Sequence, residues 1–555
     1  MHARPLTPDL SVSPQISATD VATLKALGFG SIVCHRPDGE GADQPNFEEI
    51  AQAARQAGLQ PIYQPVVPGQ ASAEQAAAFA ELLAQLPKPV LAYCRTGTRS
   101  ATLWALSQAG KLPAWEIQER AARAGFNLKA VVQRIANAGK NPVEVIEFSH
   151  TVVIVGGGAA GIAVASSLRA REPELDVAII DPADVHYYQP GWTLVGAGVF
   201  EAADTARTMA SRVPAGVRWL QSAVVAFEPE RHVVVLEGCR AVRYQRLVVC
   251  PGLKVDWHGI DGLVETLGRN GVTSNYRFDL APYTWELVRA QQGGKALFTQ
   301  PPMPIKCAGA PQKALYLSCD TWRRNGTLKN IDVRFFNAGA VLFGVPAYVP
   351  ALMEYIAAYG IDLRFGHTLK RVDGPRRRAT FERALADGSK ELVETDFDMI
   401  HVVPPQTAPD FVRTSPLADA AGWVDVDPST LRHKKYEDIF GLGDATNTTN
   451  AKTAAAARKQ APVVAHNVLA SLGLFIGLAT YDGYGSCPLT VERGKVVLAE
   501  FLYGGKVAPS FPAWLIDGKK PSRLAWFLKE RILPPLYWDG MLKGREWMAR
   551  PTLVD

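Results

Sequence analysis

Cysteine is scarce in this 555-residue chain and nowhere paired. Its seven cysteines (Cys34, Cys94, Cys239, Cys250, Cys307, Cys319 and Cys487) are an odd number, widely spread, with no C-x2-C spacing. That excludes a disulfide scaffold and gives no metal ligand set, and it points to a reducing compartment with a few chemically special thiols. No apolar run reaches the ~18 residues a spanning helix needs. The longest candidate, Ala470 to Ala479, is too short and contains glycine. The N-terminus, Met1-His2-Ala3-Arg4-Pro5, has no apolar core of a secretory signal. Charge of one sign is missing as well. The net charge is +5, and the stretch from Lys519 to Arg550, with eight Lys/Arg against three Asp/Glu, carries all of it. The remainder is near neutral, which argues against a nucleic-acid binder.

What is present is a globular composition, 47% hydrophobic and 20% charged, over a length that suits roughly three or four folding units. In the first, residues 1–137, Ser31-Ile32-Val33 and Pro89-Val90-Leu91-Ala92-Tyr93 read as short buried strands. A helix from Ala73 to Leu86 lies between them, with Ser72 and Gln75 as a capping box. This alternation predicts a small parallel α/β unit. The second strand runs into Cys94-Arg95-Thr96-Gly97-Thr98-Arg99-Ser100 and a helix from Ala101 to Ala109. A strand, a glycine loop and a helix N-terminus form an anion cradle.

Cysteine-dependent phosphatases place arginine at C-x5-R, where this chain has Ser100. Arg99 gives C-x4-R, which resembles the shorter active loop of rhodanese-type sulfurtransferases. Over its whole length this domain also resembles the phosphatase-like domain of beta-lactamase-hydrolase-like proteins. The carrying segments are Leu10-Ser11-Val12-Ser13-Pro14-Gln15-Ile16, Arg36-Pro37-Asp38-Gly39-Glu40 and the Cys94 loop. The resemblance implies a persulfide carrier at Cys94 with Arg99. A phosphatase using Asp38 as general acid and a degenerate structural loop are the alternatives; Asp38 reads more simply as part of a Pro-Asp-Gly turn. Cys34 reads as a buried bystander. Residues 138–147, with Gly139-Lys140-Asn141-Pro142, read as a linker.

From residue 148 the pattern changes. Thr151 to Val155 is an apolar strand, Gly156-Gly157-Gly158-Ala159-Ala160-Gly161 follows, and Ile162 to Arg171 reads as a helix. The next strand, Val177 to Ile180, ends in Asp181. This is a dinucleotide fingerprint in its required context: Gly156, Gly158 and Gly161 allow the turn and the approach of pyrophosphate, and Asp181 reaches a ribose hydroxyl. Later, Gly441-Leu442-Gly443-Asp444-Ala445-Thr446 follows the short strand Ile439-Phe440 and precedes a helical run from Thr453. It resembles the segment of two-dinucleotide-domain flavoproteins that sets an aspartate, here Asp444, on the FAD ribityl chain. Leu247-Val248-Val249-Cys250-Pro251-Gly252 resembles their middle strand and turn. A second G-x-G-x-x-G is missing, since Gly339 to Gly344 has the wrong spacing; NADH is therefore not the expected electron donor.

From Thr151 onward the chain resembles a sulfide:quinone oxidoreductase of the type related to the mitochondrial enzyme. The match rests on His186-Tyr187-Tyr188-Gln189-Pro190-Gly191-Trp192-Thr193-Leu194-Val195-Gly196-Ala197-Gly198 and Lys306-Cys307-Ala308-Gly309-Ala310-Pro311-Gln312-Lys313. It also rests on Ala420 to Asp427, Lys452-Thr453-Ala454-Ala455-Ala456 and Ser486-Cys487-Pro488-Leu489. The resemblance implies FAD, a quinone acceptor, and sulfide or a small persulfide or thiol as substrate. It implies attachment to a membrane surface without spanning, in the cytoplasm on the inner-membrane face. Cys307, before a helix whose amides favour an anion, is the thiolate that donates to FAD.

The family's second cysteine is expected in a G-D-C-T-N sequence, and here Ala445 stands there. Three substitutes are open: another thiol such as Cys319 or Cys250, Cys94 of the first domain acting through tethering, or Cys307 alone with a soluble thiol. No chemistry is assigned to Cys487, and Cys239 reads as inert. His186 and His401 read as acid or base groups or as structural histidines. Lys452 reads as stabilising reduced flavin or a quinone oxygen, or as a surface lysine.

The tail, residues 519–555, starts a helix at Pro521-Ser522 with Leu524, Phe527, Leu528, Ile532 and Leu533 at helical spacing. A second run holds Leu536-Tyr537-Trp538 and Met541-Leu542. Such a pair fits the bilayer interface, where it would open a route for quinone; packing on the protein's own core is the alternative. The expected fold class is α/β: a small phosphatase-like parallel-sheet domain, then a two-dinucleotide-domain, Rossmann-like flavoprotein over residues 148–518, then this amphipathic tail. The expected function is FAD-dependent oxidation of sulfide or a persulfide with quinone, coupled to sulfane-sulfur transfer at Cys94. A phosphatase joined to a flavoprotein, or a flavin-bound sulfide sensor silenced by Ala445, are the rival readings. The oligomeric state is left open.

Overall fold

Ser31–Cys34 and Val90–Tyr93 are strands buried along their whole length, the pattern a parallel sheet covered on both faces requires. A computed structural model of the chain describes residues 3–41, 44–140, 145–385 and 387–554, without the side chains of residues 145 and 239. Met1, His2 and residues 141–144 of the expected linker lie outside the described residues, as does the side chain of Cys239. The chain divides into two units. One holds residues 1–150, 222–244 and 410–418; the other holds 151–221, 245–409 and 419–555.

In the first unit, β1 (Arg4–Thr7), β2 (Leu10–Ser13), β3 (Ser31–Cys34), β4 (Gln60–Tyr63) and β5 (Val90–Tyr93) form a sheet of order β1-β2-β5-β3-β4. Only the β1–β2 pair is antiparallel. Helix α1 (Ala73–Gln85) begins with the expected capping box. Ser72 Oγ accepts the Gln75 N–H at 3.1 Å, and Gln75 Oε1 accepts the Ser72 N–H at 3.0 Å. Helix α2 (Thr98–Gln108) starts at Gly97, whose φ of 89° only glycine adopts freely. The unit also recruits a hairpin, Val224–Glu228 with Val233–Leu236. Its Val225, Val233 and Val235 join Leu103, Ile117 and Ile135 in one apolar cluster, and Glu237 Oε1 accepts the Ala114 N–H at 3.0 Å. A segment that lies within the flavoprotein region of the sequence therefore completes this core.

The second unit carries strands of two sheets. In one, residues 151–155 of β6 (Val145–Val155), β7 (Val177–Ile180), β8 (Val217–Leu220) and residues 245–249 of β9 (Arg240–Val249) lie in the order β8-β7-β6-β9, with β8–β7 and β7–β6 parallel. In the other, β10 (Val272–Thr273), β11 (Gly294–Gln300), β12 (Ile331–Asn337), β13 (Asp362–Phe365) and β14 (Met399–His401) lie in the order β10-β14-β11-β12-β13. Strand β15 (Ile439–Gly441) pairs with the end of β9. Helix α3 (Ala159–Arg171) follows β6 and packs on α5 (Ala454–Ser471), while α4 (Ala310–Arg324) shares a cluster of Phe298, Trp322 and Phe335 with Cys487 and Leu489. Cys487 belongs to β16 (Gly485–Glu492), which pairs with β17 (Lys495–Phe501).

The tail departs from the expected pair of interfacial helices. Arg523–Phe527 is a helix, capped by Ser522 Oγ accepting the Ala525 N–H at 3.2 Å, and it leaves Phe527 52% and Ile532 45% exposed. Tyr537, Trp538, Met541 and Leu542 of the second run are buried in the unit itself. Helical spacing marks an apolar stripe but cannot say what covers it, and here half the stripe is covered by the protein. Among the described residues no helix is long and apolar enough to cross a membrane.

Because Val235 lies in the first unit's core, Val235→Asp buries an unpaired carboxylate there. Limited proteolysis should then cut residues 3–140 rapidly; wild-type resistance in this variant would show that the hairpin is dispensable to that core.

Candidate active site

The turn after β6 is built from glycine for steric reasons. Gly156 has φ 110°, and a Cβ there would stand 2.5 Å from the Cys250 carbonyl oxygen. At Gly161 a Cβ would meet the Gly156 oxygen at 1.8 Å, so helix and strand could not approach. Gly158, by contrast, faces open space at the N-terminus of α3, the position where a phosphate meets helix amides. Asp181, at the end of β7, accepts the Gly157 N–H at 2.6 Å and the Ala183 N–H at 2.8 Å; burial raises its pKa against those two bonds. Its carboxylate thus braces the glycine turn. These residues fit the FAD that the resemblance implies: Gly156, Gly158 and Gly161 make room and the start of α3 faces the anion.

The second loop follows β15. Gly443, with φ 72°, donates its N–H to Gln460 Oε1 at 2.8 Å, and Asp444 and Ala445 complete a short turn. Lys452 holds this turn from beneath. Its Nζ donates to the carbonyls of Asp444 at 2.9 Å and Thr446 at 2.8 Å and stands 4.1 Å from the Trp423 ring centre. Lys452 is buried and not a surface residue; burial pulls its pKa down to about 8. Burial raises the pKa of Asp444, which Lys452 and Lys306 oppose.

The same Lys452 meets the Cys307 loop through its backbone. Its carbonyl accepts the Cys307 N–H at 2.9 Å, joining two loops far apart in sequence. Cys307 has φ 51°, a left-handed conformation rare outside glycine and costly at a residue with a side chain. Its carbonyl accepts the Ala310 N–H at 2.7 Å, which launches α4, and Tyr276 donates its hydroxyl to the Lys306 carbonyl at 2.8 Å. Lys313, one turn into α4 and buried, donates its Nζ to the Cys307 sulfur at 3.1 Å.

Cys487 supplies the thiol that sequence reasoning missed. Its thiol lies beside the Cys307 sulfur. Cys487 first, and Lys313 next, hold Cys307 well below the usual thiol range although burial opposes them. Cys487 is pushed well above that range by Cys307 and by burial. The pair is therefore one thiolate and one thiol, both sulfurs unbridged. Lys529, from the C-terminal segment, is buried beside them; burial and then the Lys313 charge bring it down to about 7, while Cys307 and Cys487 oppose.

To the three substitutes left open for the residue that Ala445 replaces, the structure adds Cys487 as a fourth candidate. Cys319 and Cys250 are buried with thiols pushed up chiefly by burial, and neither is among the groups that act on Cys307. His401 is fully buried and accepts the Asn275 N–H on Nε2 at 2.9 Å, and burial lowers it to about 4. It is a neutral structural histidine.

In the first unit Cys94 is buried at the end of β5 and its sulfur accepts the Gly97 N–H at 3.2 Å. Arg99 turns to Glu40, at 2.7 Å, and to the Val66 carbonyl, at 2.9 Å; Arg36 holds the same Glu40 oxygen at 2.8 Å. Ser100 meets His35 Nδ1 at 2.9 Å. Asp38 accepts the Phe47 N–H at 2.9 Å. Cys34 is buried and pushed up to about 11, chiefly by burial.

Comparison with known proteins follows this division. The family model of the Beta-lactamase hydrolase-like protein, phosphatase-like domain matches residues 2–111, and that of Pyridine nucleotide-disulphide oxidoreductase matches residues 150–284. The mitochondrial sulfide:quinone oxidoreductase of Dictyostelium discoideum is 42% identical over 408 residues, 73% of this chain and 88% of that protein. The Beta-lactamase hydrolase-like protein of Agrobacterium fabrum is 33% identical over 135 residues, 24% of this chain but 31% of its own length. In fold alone, the chain resembles the solved sulfide:quinone oxidoreductase of Aquifex aeolicus, at 19% identity and a TM-score of 0.58, covering 70% of this chain and 92% of that one.

Lys313→Met keeps the bulk of the side chain and removes its charge. Cys307 should then titrate at higher pH, and the midpoint of its alkylation by iodoacetamide against pH should move up by about one unit or more. An unchanged pH profile would mean that Lys313 does not hold the thiolate.

Proposed function

The chain belongs to the sulfide:quinone oxidoreductase family, and from that premise we propose how its own residues oxidise sulfide. The observation that carries the reading is the Cys307 thiolate, which lies beside the Cys487 thiol and accepts from Lys313 Nζ at 3.1 Å. In the oxidised enzyme these two sulfurs form a disulfide. Hydrosulfide attacks the Cys487 sulfur, an S–S bond forms there, and the Cys307–Cys487 bond breaks. Cys307 leaves, because the thiol with the lower pKa is the better leaving group and Lys313 neutralises its charge. The sulfur of sulfide is thereby oxidised to sulfane sulfur on Cys487, and Cys307 is reduced to thiolate. A small thiol then takes the sulfane sulfur, leaving the pair as thiolate and thiol. Lys529, near 7, exchanges the proton. FAD, when bound, would supply the acceptor for the two electrons released as Cys307 and Cys487 re-form their disulfide, and the route for them to quinone.

Gly156, Gly158, Gly161 and Asp181 hold the dinucleotide end of FAD, and Gly443, Asp444 and Lys452 its flavin side. In the first unit Cys94 receives sulfane sulfur as a persulfide, with Arg99 bracing the loop through Glu40; the C-x4-R spacing favours this over phosphatase chemistry. The exposed Leu524, Phe527 and Ile532 attach the enzyme peripherally to a quinone-bearing membrane from the cytoplasmic side.

Anaerobic sulfide should bleach the flavin and a soluble quinone should restore it. Both Cys307→Ser and Cys487→Ser should abolish turnover, and Cys94→Ser should leave it intact while ending persulfide formation on the first unit. Turnover surviving in Cys487→Ser would remove that residue from the cycle. Phosphomonoester hydrolysis lost in Cys94→Ser would replace the sulfur-transfer reading of the first unit.

A further inference from the structure

The peptide groups on both sides of Gly157 are pinned by side chains. Its N–H goes to Asp181 at 2.6 Å, and its carbonyl is 3.2 Å from His186 Nδ1. A carbonyl only accepts, so Nδ1 carries the hydrogen. His186 Nε2 is then an acceptor, and the hydroxyl of Tyr537, at 2.6 Å, donates to it. Burial, which brings His186 down to about 4, keeps the ring neutral and this tautomer in place. The peptide from Gly157 to Gly158 is planar and trans, so its N–H points away from its C=O. Fixing the Gly157 carbonyl toward His186 therefore aims the Gly158 N–H in the opposite direction. Gly158 is the residue of the turn that faces open space.

Tyr537 belongs to the C-terminal segment, far along the chain. Its ring centre lies 4.8 Å from that of Tyr188 and 5.1 Å from that of Trp538. The Arg207 and Arg212 guanidinium groups stand 5.3 and 5.8 Å from the Trp538 ring centre. The segment also grips α3: Ser166 Oγ donates to the Leu542 carbonyl at 2.8 Å, and Arg171 Nη2 donates to Glu546 Oε2 at 2.9 Å. A Cβ on Gly544 would stand 2.7 Å from the Ser166 oxygen. The segment thus holds both the turn and the helix that would receive a pyrophosphate.

We propose that His186 and Tyr537 are positioning residues for the flavin site, so that the C-terminal segment acts as a latch on the pyrophosphate turn. The proposal rests on the reading that this turn binds FAD. Removing the Tyr537 hydroxyl leaves a buried ring nitrogen without its donor and frees the Gly157 carbonyl to turn.

The test is the rate at which the purified holoenzyme releases FAD on dilution, followed by flavin fluorescence, with far-UV circular dichroism recorded in parallel. Tyr537→Phe should release FAD about tenfold faster, the effect of losing one buried hydrogen bond, while its dichroism stays that of the wild type. A purely structural role would lower the unfolding midpoint without raising the release rate of the folded protein. Wild-type release from a folded Tyr537→Phe variant would overturn the proposal. Should that variant not fold, Glu546→Gln, which loosens the same segment at a partly exposed ion pair, carries the test with the same two results. Wild-type protein that retains no FAD would instead sink the flavin reading itself.

Discussion

A buried ammonium and a half-buried thiolate are each costly alone, and this protein sets them 3.1 Å apart at Lys313 and Cys307. Inside a protein the attraction between such charges is far stronger than in water, and neither could remain charged without the other. The rest of the second unit serves to bring them together. The left-handed backbone at Cys307 throws its side chain toward α4 just before that helix begins, and Lys313 sits one turn further on. The amide of Cys307 is tied to the carbonyl of Lys452, so the strained residue is held from outside its own loop. Strain of this kind persists only where the surroundings over-determine it.

Three segments converge there. The Cys307 loop follows β11, Cys487 comes from β16, and Lys452 leads from the Gly443–Asp444 turn into α5. Each brings what the others lack: a leaving thiolate, a thiol with a high pKa, and a lysine that fixes the turn between them. In the proposed cycle the asymmetry between the two sulfurs sets the direction. Attack at Cys487 expels the sulfur that Lys313 stabilises, whereas attack at Cys307 would expel the one that burial disfavours as an anion.

Much of this architecture was legible because it is local. The glycine turn, Asp181 and the helix after them lie within one strand-turn-helix stretch, and the capping box at Ser72 and Gln75 is a four-residue signal. Lys313 is likewise six residues from Cys307. Cys487 was not legible in that way: it is a small apolar residue in an alternating strand, indistinguishable by pattern from a core cysteine. The block Ser486-Cys487-Pro488-Leu489 was the available signal, and its weight went instead to the position of Ala445. The tail was legible only in part, for a related reason. Periodicity marked Tyr537 and Trp538 as apolar partners of something, but the partners, His186 and Tyr188, lie some 350 positions earlier in the chain. Only folding reveals that they cover the stripe. The hairpin at Val224–Leu236 joined the first unit's core on the same terms, since its alternation says that a face is buried and not where.

The central claim is that the second working sulfur is Cys487. The most direct measurement is peptide mapping by mass spectrometry of oxidised enzyme exposed to stoichiometric sulfide and quenched with an alkylating agent. The expected result is one added sulfur atom on the peptide bearing Cys487, with Cys307 alkylated as a free thiol. Added sulfur on Cys307, or on Cys319 or Cys250, would contradict the account.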